Sequence, residues 1–195
     1  MTAMHEFLHQ ATEEFQQTID SIREQSFAQA YYLDYLWRMS VTACFRMAAV
    51  ERLAGFPLAI YGDDGWIRSK SVLREQYHGL VTPGQLPELY SRHPLHLNLN
   101  FMQVASTVNP RVLDLAACGS AVITDDRSEL SILFPNPEAC PFSFRAMEEL
   151  PDLVSDLRRR DLAEHRRQVR AAVLKEHTML HRADWLASKL CLSRE

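Results

Sequence analysis

The residues best suited to chemistry lie between positions 106 and 119, where an amide, a guanidinium and a carboxylate follow one another closely. Asn109 suits the start of a helix, Pro110 its first position and Gly119 the position after its end. Arg111 then stands in the first turn, where the helix dipole favours acids instead. An arginine beside the N–H groups of a helix start can bind a diphosphate, and an acid one turn on, Asp114, can accept hydrogen bonds from ribose hydroxyls. The competing interpretation is a surface ion pair between Arg111 and Asp114.

The two faces of this helix separate at about 100° per residue. One face is predicted to be buried and carries Val112, Leu113, Ala116 and Ala117. The other is predicted to be exposed and carries Arg111, Asp114, Leu115 and Cys118.

Other groups of polar residues indicate alternative sites. Four acids at the ends of predicted strands would suit a phosphoryl receiver: Asp63, Asp64, Asp125 and Asp126. A receiver also needs an aspartate after its third strand, where this sequence has Asn98 and Asn100. The run from Gly62 to Gly65 contains two of the glycines of a dinucleotide-binding loop, which gives weak support for a nicotinamide site.

Histidines and cysteines give no metal-binding pattern. The histidines form close pairs without a matching third ligand: His5 with His9, His93 with His96, and His177 with His181. The cysteines are scattered and are expected to be reduced: Cys44, Cys118, Cys140 and Cys191. We therefore expect neither a metal nor a cofactor.

Two periodicities predict the elements that position these residues. Up to residue 55, apolar residues recur at spacings of three and four, which predicts two amphipathic helices. From residue 56, short apolar runs alternate with helical stretches, which predicts five strands near 58–61, 79–81, 95–99, 121–124 and 139–142. The helices between and after them are predicted near 69–77, 85–92, 110–118, 128–133, 146–159, 161–176 and 178–191. The predicted fold class is α/β: a Rossmann-like parallel sheet in 56–195, an N-terminal helical segment in 1–55 and a helical C-terminal tail from residue 146.

Composition narrows the classes of partner. The chain has 195 residues, 47% of them apolar, which suits one sizeable core. Its 21 basic and 25 acidic residues give a net charge of −4, which disfavours nucleic acid as a partner. The arginine run at 158–160 is interleaved with acids and is interpreted as a solvated helix face. No apolar run is long enough to span a membrane and no secretory leader is visible, so a cytoplasmic location is expected.

An ordered set of segments resembles a known family, the spore-maturation type of glycosyltransferase-like proteins, whose fold is the two-domain GT-B fold. Residues 109–125 resemble the donor-site helix and the following strand of that family. Residues 60–66 resemble its first strand and Gly–Trp turn, 86–99 its helix and "LN" strand, and 148–150 and 176–182 its C-terminal marks. The resemblance covers about residues 42–190.

The resemblance implies roles for six residues. Arg111 would lie near the diphosphate of a nucleotide-sugar donor, and Asp114, where the family usually has Glu, would bind the ribose. Gly62 and Trp66 would line the cleft, while Ser106 and Asn109 would lie in the loop before the donor helix. Pro110 departs from the family pattern and removes one N–H group there.

The family's full enzymes have two Rossmann-like domains, and the resemblance reaches the second alone. It implies metal-independent transfer of a sugar to an unidentified acceptor, with an acceptor domain supplied elsewhere, so the single domain is not expected to be active by itself. No residue is assigned as the general base. The alternative is a catalytically inactive interaction module that uses its exposed helices, with self-association through the N-terminal helices.

Overall fold

The computed structural model describes residues 3–23, 26–66, 71–102 and 106–190, with the backbone alone for 3–12, 71 and 72. The fold is a mixed α/β fold with parallel sheets and helices towards both ends, consistent with a Rossmann-like domain. Backbone contacts divide the chain into two compact units, Met1–Phe45 with Phe101–Gln103, and Arg46–Asn100 with Val104–Glu195. The sequence-based division at residue 55 stays a prediction.

The first unit is helical. Helix α1 (Ala3–Arg23) and the first part of helix α2 (Phe27–Arg52) form it, as the spacing of apolar residues predicts. Ile19 and Ala30 are fully buried, and the Phe15 and Trp37 rings stack with their centroids 4.6 Å apart. Buried Thr42 donates to the Arg38 carbonyl and accepts from the Met102 N–H at 3.1 Å. The side chains of His5 and His9 lie outside the described part.

Five strands occur in the described part of the second unit, and all of their pairings are parallel. β1 (Ile60–Tyr61) pairs with β2 (Tyr77–Gly79), and β4 (Ala121–Asp125) lies between β3 (Leu95–Asn98) and β5 (Phe142–Phe144). The strands thus form two sheets where the alternation predicted one. β1 and β2 are two and three residues long and their register shifts after Ile60, so their ladder is short.

The helices of the second unit agree with the predicted positions to within a few residues. They are α3 (Leu86–Arg92), α4 (Arg111–Ala117), α5 (Ser128–Leu133), α6 (Leu150–Leu157), α7 (Ala163–Glu176) and α8 (Met179–Lys189). The helix predicted near 69–77 is a 3-10 helix at 71–76 in the described part. Two strands are shifted from their predicted positions: β2 lies at 77–79 instead of 79–81, and β5 at 142–144 instead of 139–142. Cys191, predicted at the end of the last helix, lies outside the described residues.

Helix α4 is buried more extensively than its sequence periodicity predicts. Val112 and Ala116 are fully buried, as expected, but Leu115 is 2% exposed and the prediction that it lies on the outer face was wrong. α7 packs on α4, and its Val169 and Val173 share one core cluster with Leu115. The exposed face of this seven-residue helix is therefore narrow and consists of Arg111 and Asp114.

The predicted end of α4 is confirmed. Gly119 has φ +79°, and the N–H groups of Gly119 and Ser120 bond back to the carbonyls of Ala116 and Leu115. A glycine adopts this left-handed conformation without steric cost. Arg166 and Arg170 of α7 donate to the carbonyls of Gly119 and Ala117, which stabilises the same end.

The surface has mixed charge. Arg158, Arg159 and Arg160 are exposed, as expected, and Arg160 pairs with Asp156. They lie in the turn after α6, so the prediction that these three arginines form a helix face was wrong. In the described ranges no helix is long and apolar enough to cross a membrane.

Candidate functional site at the carboxyl ends of β3 and β4

A buried polar network joins the ends of β3 and β4. Asn100, just beyond β3, is 1% exposed; its Nδ2 donates to Thr124 Oγ1 at 2.9 Å and to Asp125 Oδ1 at 3.0 Å. The Asn100 N–H donates to Asp125 Oδ1 at 2.8 Å, and Asn98 Nδ2 donates to Thr124 Oγ1 at 3.3 Å. Buried polar groups are tolerated when they are hydrogen-bonded. These bonds connect the end of β3 with the end of β4.

The other oxygen of Asp125 faces an arginine. Arg127 Nε and Nη2 each lie 2.6 Å from Asp125 Oδ2, and both side chains are 9% exposed. Asp126 pairs with Arg145 at 2.8 Å. Asp125 and Asp126, two of the acids of the phosphoryl-receiver alternative, are thus engaged in ion pairs.

Asn109 connects this network to α4. Its N–H donates to Asn100 Oδ1 at 2.7 Å, its Nδ2 to the Leu99 carbonyl at 3.4 Å, and its Oδ1 accepts from the Arg111 N–H at 3.0 Å. The helix is assigned from Arg111, one residue later than predicted, yet Asn109 still caps it through its side chain. The start of α4 is therefore positioned by the two buried residues that follow β3.

Ser106 lies at the other end of the same loop. Its carbonyl accepts from the Glu129 N–H at 3.0 Å, and Glu129 Oε2 accepts from the Val108 N–H at 2.8 Å. The Ser106 side chain is exposed. The loop is thus fixed by the start of α5 on one side and by Asn100 on the other.

Arg111 and Asp114 occupy the outer face of α4, and both are exposed. Arg111 lies close to Tyr90: burial raises the pKa of this phenol, and the charge of Arg111 opposes the rise. Asp114 lies close enough to Tyr90 for its charge to raise that pKa further. Arg111, Asp114 and Tyr90 therefore form one neighbourhood.

Two side chains, those of Ser120 and His96, hydrogen-bond to the backbone carbonyl of Tyr90. This carbonyl accepts from Ser120 Oγ at 2.6 Å and lies 3.0 Å from His96 Nε2, which is also 2.9 Å from the His93 carbonyl. Because two carbonyls surround it, Nε2 of His96 must carry the proton. Burial lowers the pKa of His96, so the neutral ring is favoured.

Arg46, in the C-terminal part of α2, lies close enough to Arg111 for the two charges to interact. Its Nη2 donates to the Leu99 carbonyl at 3.1 Å, the same carbonyl that Asn109 Nδ2 contacts. Burial and the charge of Arg111 lower the pKa of Arg46, while Asp125 and Asp63 oppose this. Charges from the start of α4, the end of β4 and the turn after β1 thus act on one guanidinium.

Gly62 and Trp66 are brought together at the end of β1. Gly62 has φ +152°, its N–H donates to the Gly79 carbonyl at 3.0 Å, and its carbonyl accepts from Tyr77 Oη at 2.9 Å. A Cβ atom at Gly62 would lie 2.9 Å from Trp66 Nε1. The indole therefore packs directly against the glycine, and the turn has no room for a side chain there.

Neither metal ligands nor reactive thiols stand out. The described residues contain no group of three or more His, Cys, Asp or Glu that could hold a metal ion. Burial raises the pKa of Cys140 to about 11, so its thiol stays protonated at neutral pH. Cys44, Cys118 and Cys140 are free thiols.

The fold defines the chain as a mixed α/β protein with parallel sheets, consistent with a Rossmann-like domain. The chain belongs to the glycosyl transferase-like family, whose model matches residues 42–188, well over half of the sequence. No curated protein matches significantly, and no solved structure does.

Sequence reasoning placed Asn109, Arg111 and Asp114 in one stretch but missed the residues that position them. The sequence analysis considered Asn100 and Asp125 as residues of a phosphoryl receiver, and Tyr90 as part of the segment 86–99. It did not name Arg46. Arg46 precedes β1 by more than a dozen residues, so no local spacing links it to Arg111. The sequence does show that Arg46 is a charged residue between the apolar residues Phe45 and Met47, which could have marked it as a candidate.

Proposed function

We propose that this chain is the donor-binding part of a glycosyltransferase and binds a nucleoside-diphosphate sugar. Arg111 contacts the diphosphate and Asp114 the ribose, while Gly62, Trp66, Ser106 and Asn109 shape the site. The observation that carries the proposal is the exposed Arg111–Asp114 face, fixed through Asn109 to buried Asn100. Ligands of open α/β sheets bind at the carboxyl ends of the strands, which is where this face lies.

The finer parts of the proposal follow from the resemblance. The sugar is transferred to an acceptor held by a second domain, no metal or cofactor takes part, and the protein belongs to the spore-maturation type and works in the cytoplasm. Members of a glycosyl transferase-like family require a donor and an acceptor. The domain supplying the acceptor site is a partner in this proposal.

The test is a calorimetric titration of the whole chain with UDP-, GDP- and TDP-sugars, with and without EDTA. We expect saturable binding of one nucleotide class that EDTA leaves unchanged. Arg111→Ala should weaken it about 10- to 100-fold, as expected for a lost charge-assisted contact. Absence of binding to every donor would contradict the proposal, and loss of binding with EDTA would contradict its metal independence.

A second candidate function, the inactive interaction module, is favoured by exposed apolar side chains. On α2 these are Phe27, Tyr31, Tyr32, Tyr35, Leu36 and Met39; on α8 they are Met179, Leu180, Trp185 and Leu186. Apolar surfaces of this kind often mark contacts with other proteins. Sedimentation distinguishes the two: self-association with no donor binding supports the module, whereas a monomer that binds donor contradicts it.

A further inference from the structure

One face of helix α2 carries residues at alternating spacings of four and three along the chain. These residues, which we call the α2 seam, are Phe27, Tyr31, Asp34, Arg38, Val41 and Phe45. Residues at this spacing lie in one line along a helix, as they do where two helices pair in a coiled coil. Apolar residues lie at both ends of the seam, and one acid and one base lie at its centre.

The N-terminal end of the α2 seam is exposed. Phe27 and Tyr31 are 70% and 67% exposed, and their rings stack with the centroids 6.5 Å apart. Another face of α2 is already covered within the first unit, where Ala30 is fully buried and Trp37 stacks on Phe15 of α1. Large apolar side chains that lie together on a surface often mark a contact with another molecule.

The charges at the centre of the α2 seam indicate which partner fits. Arg38 Nε donates to both carboxylate oxygens of Asp34 at 2.9 and 3.0 Å, and the two side chains are 37% and 25% exposed. Because this contact uses Nε, the NH₂ groups of Arg38 can donate to a second carboxylate. If a second copy of α2 lies antiparallel, with the twofold axis at Leu36, Asp34 of each copy faces Arg38 of the other. A parallel copy would place like charges against each other.

The same antiparallel register aligns the apolar residues of the α2 seam. Phe27 of one copy lies opposite the half-buried Phe45 of the other, and the next layer pairs Tyr31 with Val41. Phe27, Tyr31 and, at the edge of the seam, Tyr35 are 46–70% exposed. With about 150–250 Å² for an aromatic residue, these three rings expose about 300–450 Å². That is about half of the ~800 Å² that each partner buries in a standard interface.

We propose that α2 is a homodimer interface, in which two copies of the chain pair antiparallel along the α2 seam and Asp34 of each copy bonds to Arg38 of the other. A second copy fits better than an unrelated protein because a twofold axis requires a self-complementary surface. The inference goes beyond the proposed function and does not depend on it. It assigns the expected self-association of the N-terminal helices to one helix, one orientation and one register.

Charge reversal tests the central pair. Sedimentation equilibrium of the whole chain at about 1–100 μM would measure the dissociation constant of the parent protein, of Asp34→Arg, of Arg38→Asp and of the double exchange. Each single change also removes the contact within the chain, so the two single variants are measured mixed as well. In a mixed dimer opposite charges face each other again between the chains, while the contact within each chain stays lost. The mixture therefore separates an interface from a purely structural role.

A matched pair of tyrosines tests the apolar end. Tyr31→Ala removes a ring of the α2 seam, and the control Tyr32→Ala removes a ring that is 61% exposed but lies about 100° further around the helix. Thermal unfolding of every variant reports whether the fold is kept. Both tyrosines are exposed, so their variants should fold, and this pair decides the question if a charge reversal prevents folding.

We expect a parent dimer that either charge reversal weakens about 100-fold and Tyr31→Ala about 10-fold, with Tyr32→Ala unchanged. The double exchange and the mixture of single variants should dimerise as the parent protein does. A parent protein that is monomeric at ~100 μM would overturn the inference. A dimer that resists charge reversal and Tyr31→Ala would overturn it too, since its interface would lie elsewhere or be parallel. A mixture that stays monomeric would show that the charges act within the chain and would equally overturn it.

Discussion

Two polar regions of the second unit lie next to each other and differ in burial. The network of Asn98, Asn100, Thr124 and Asp125 is almost wholly buried, and its donors and acceptors are largely directed at one another. The outer face of α4, with Arg111 and Asp114, is exposed. The same kinds of polar group thus perform different tasks: the buried network positions backbone, and the exposed face is available to a ligand.

Polarity alone therefore does not identify a binding residue. Asp125 has the chemistry of a ligand-binding acid, yet its carboxylate is used internally by Asn100 and Arg127. Asp114 has the same carboxylate in an accessible position. Changes in the buried network should therefore lower stability, and changes on the exposed face should lower binding without lowering stability.

The largest effect is expected for Asp125→Ala. This change leaves the 9%-exposed Arg127 without its carboxylate and removes two acceptor contacts of Asn100. Loss of one partner of a buried ion pair costs about 3–5 kcal/mol, to be measured by urea unfolding. The control is Glu88→Ala, whose pair with Arg92 is exposed and should contribute about 0–1 kcal/mol. If Asp125→Ala and Glu88→Ala lowered the free energy of unfolding equally, the buried network would be no more important for stability than an exposed ion pair.

The next effect is expected for Gly62→Ala, which tests the turn after β1. The added Cβ would lie 2.9 Å from Trp66 Nε1 at a backbone angle that favours glycine. We expect a loss of about 1–3 kcal/mol in unfolding free energy. Gly84→Ala, where nothing lies within 4 Å of the new Cβ, should change stability by less than about 0.5 kcal/mol. A Gly62→Ala protein as stable as this control would show that Trp66 does not pack on the glycine as described.

A smaller effect, confined to binding, is expected for Asp114→Ala. If its carboxylate accepts from ribose hydroxyls, affinity for the nucleotide should fall about 10-fold, which is near 1.4 kcal/mol. Affinity for the 2′,3′-dideoxy analogue should not change, because that ligand lacks both hydroxyls. Unfolding free energy should stay within about 0.5 kcal/mol of the parent protein. An equal loss for both ligands would argue against ribose recognition by Asp114.

The smallest effect concerns pH and His96, which supports Tyr90 behind the exposed face. Burial holds the pKa of His96 below its usual value of about 6.5, so the unfolded chain takes up a proton first as pH falls. Stability from this group is complete above pH ~6.5 and is lost as pH falls through the lower folded pKa, at no more than about 1.4 kcal/mol per pH unit.

Urea unfolding at pH 8 and pH 5.5 measures this dependence. His96→Gln should show a smaller fall in stability than the parent protein, with a residual fall from His165, whose pKa burial also lowers. His78→Gln, at an exposed position, serves as the control. The same fall in His96→Gln and parent protein would contradict the buried neutral ring.

Sequence reasoning succeeded where the determinants were local. The end of α4 at Gly119 and the strand at Ala121–Asp125 follow from a C-terminal glycine and a short apolar run. It failed where distant elements decide: Leu115 is buried because α7 packs on α4 from more than 40 residues away. The division into two sheets, the Asn100–Asp125 bond and the position of Arg46 likewise depend on contacts between remote segments.

The most direct test of the account is an amide hydrogen-exchange footprint of the chain saturated with its preferred nucleotide sugar. We expect slower exchange around residues 61–66 and 106–114, with residues 27–45 and 179–189 unchanged. Protection confined to the exposed apolar stretches of α2 and α8, with 106–114 unaffected, would contradict the assignment of the α4 face as the donor site.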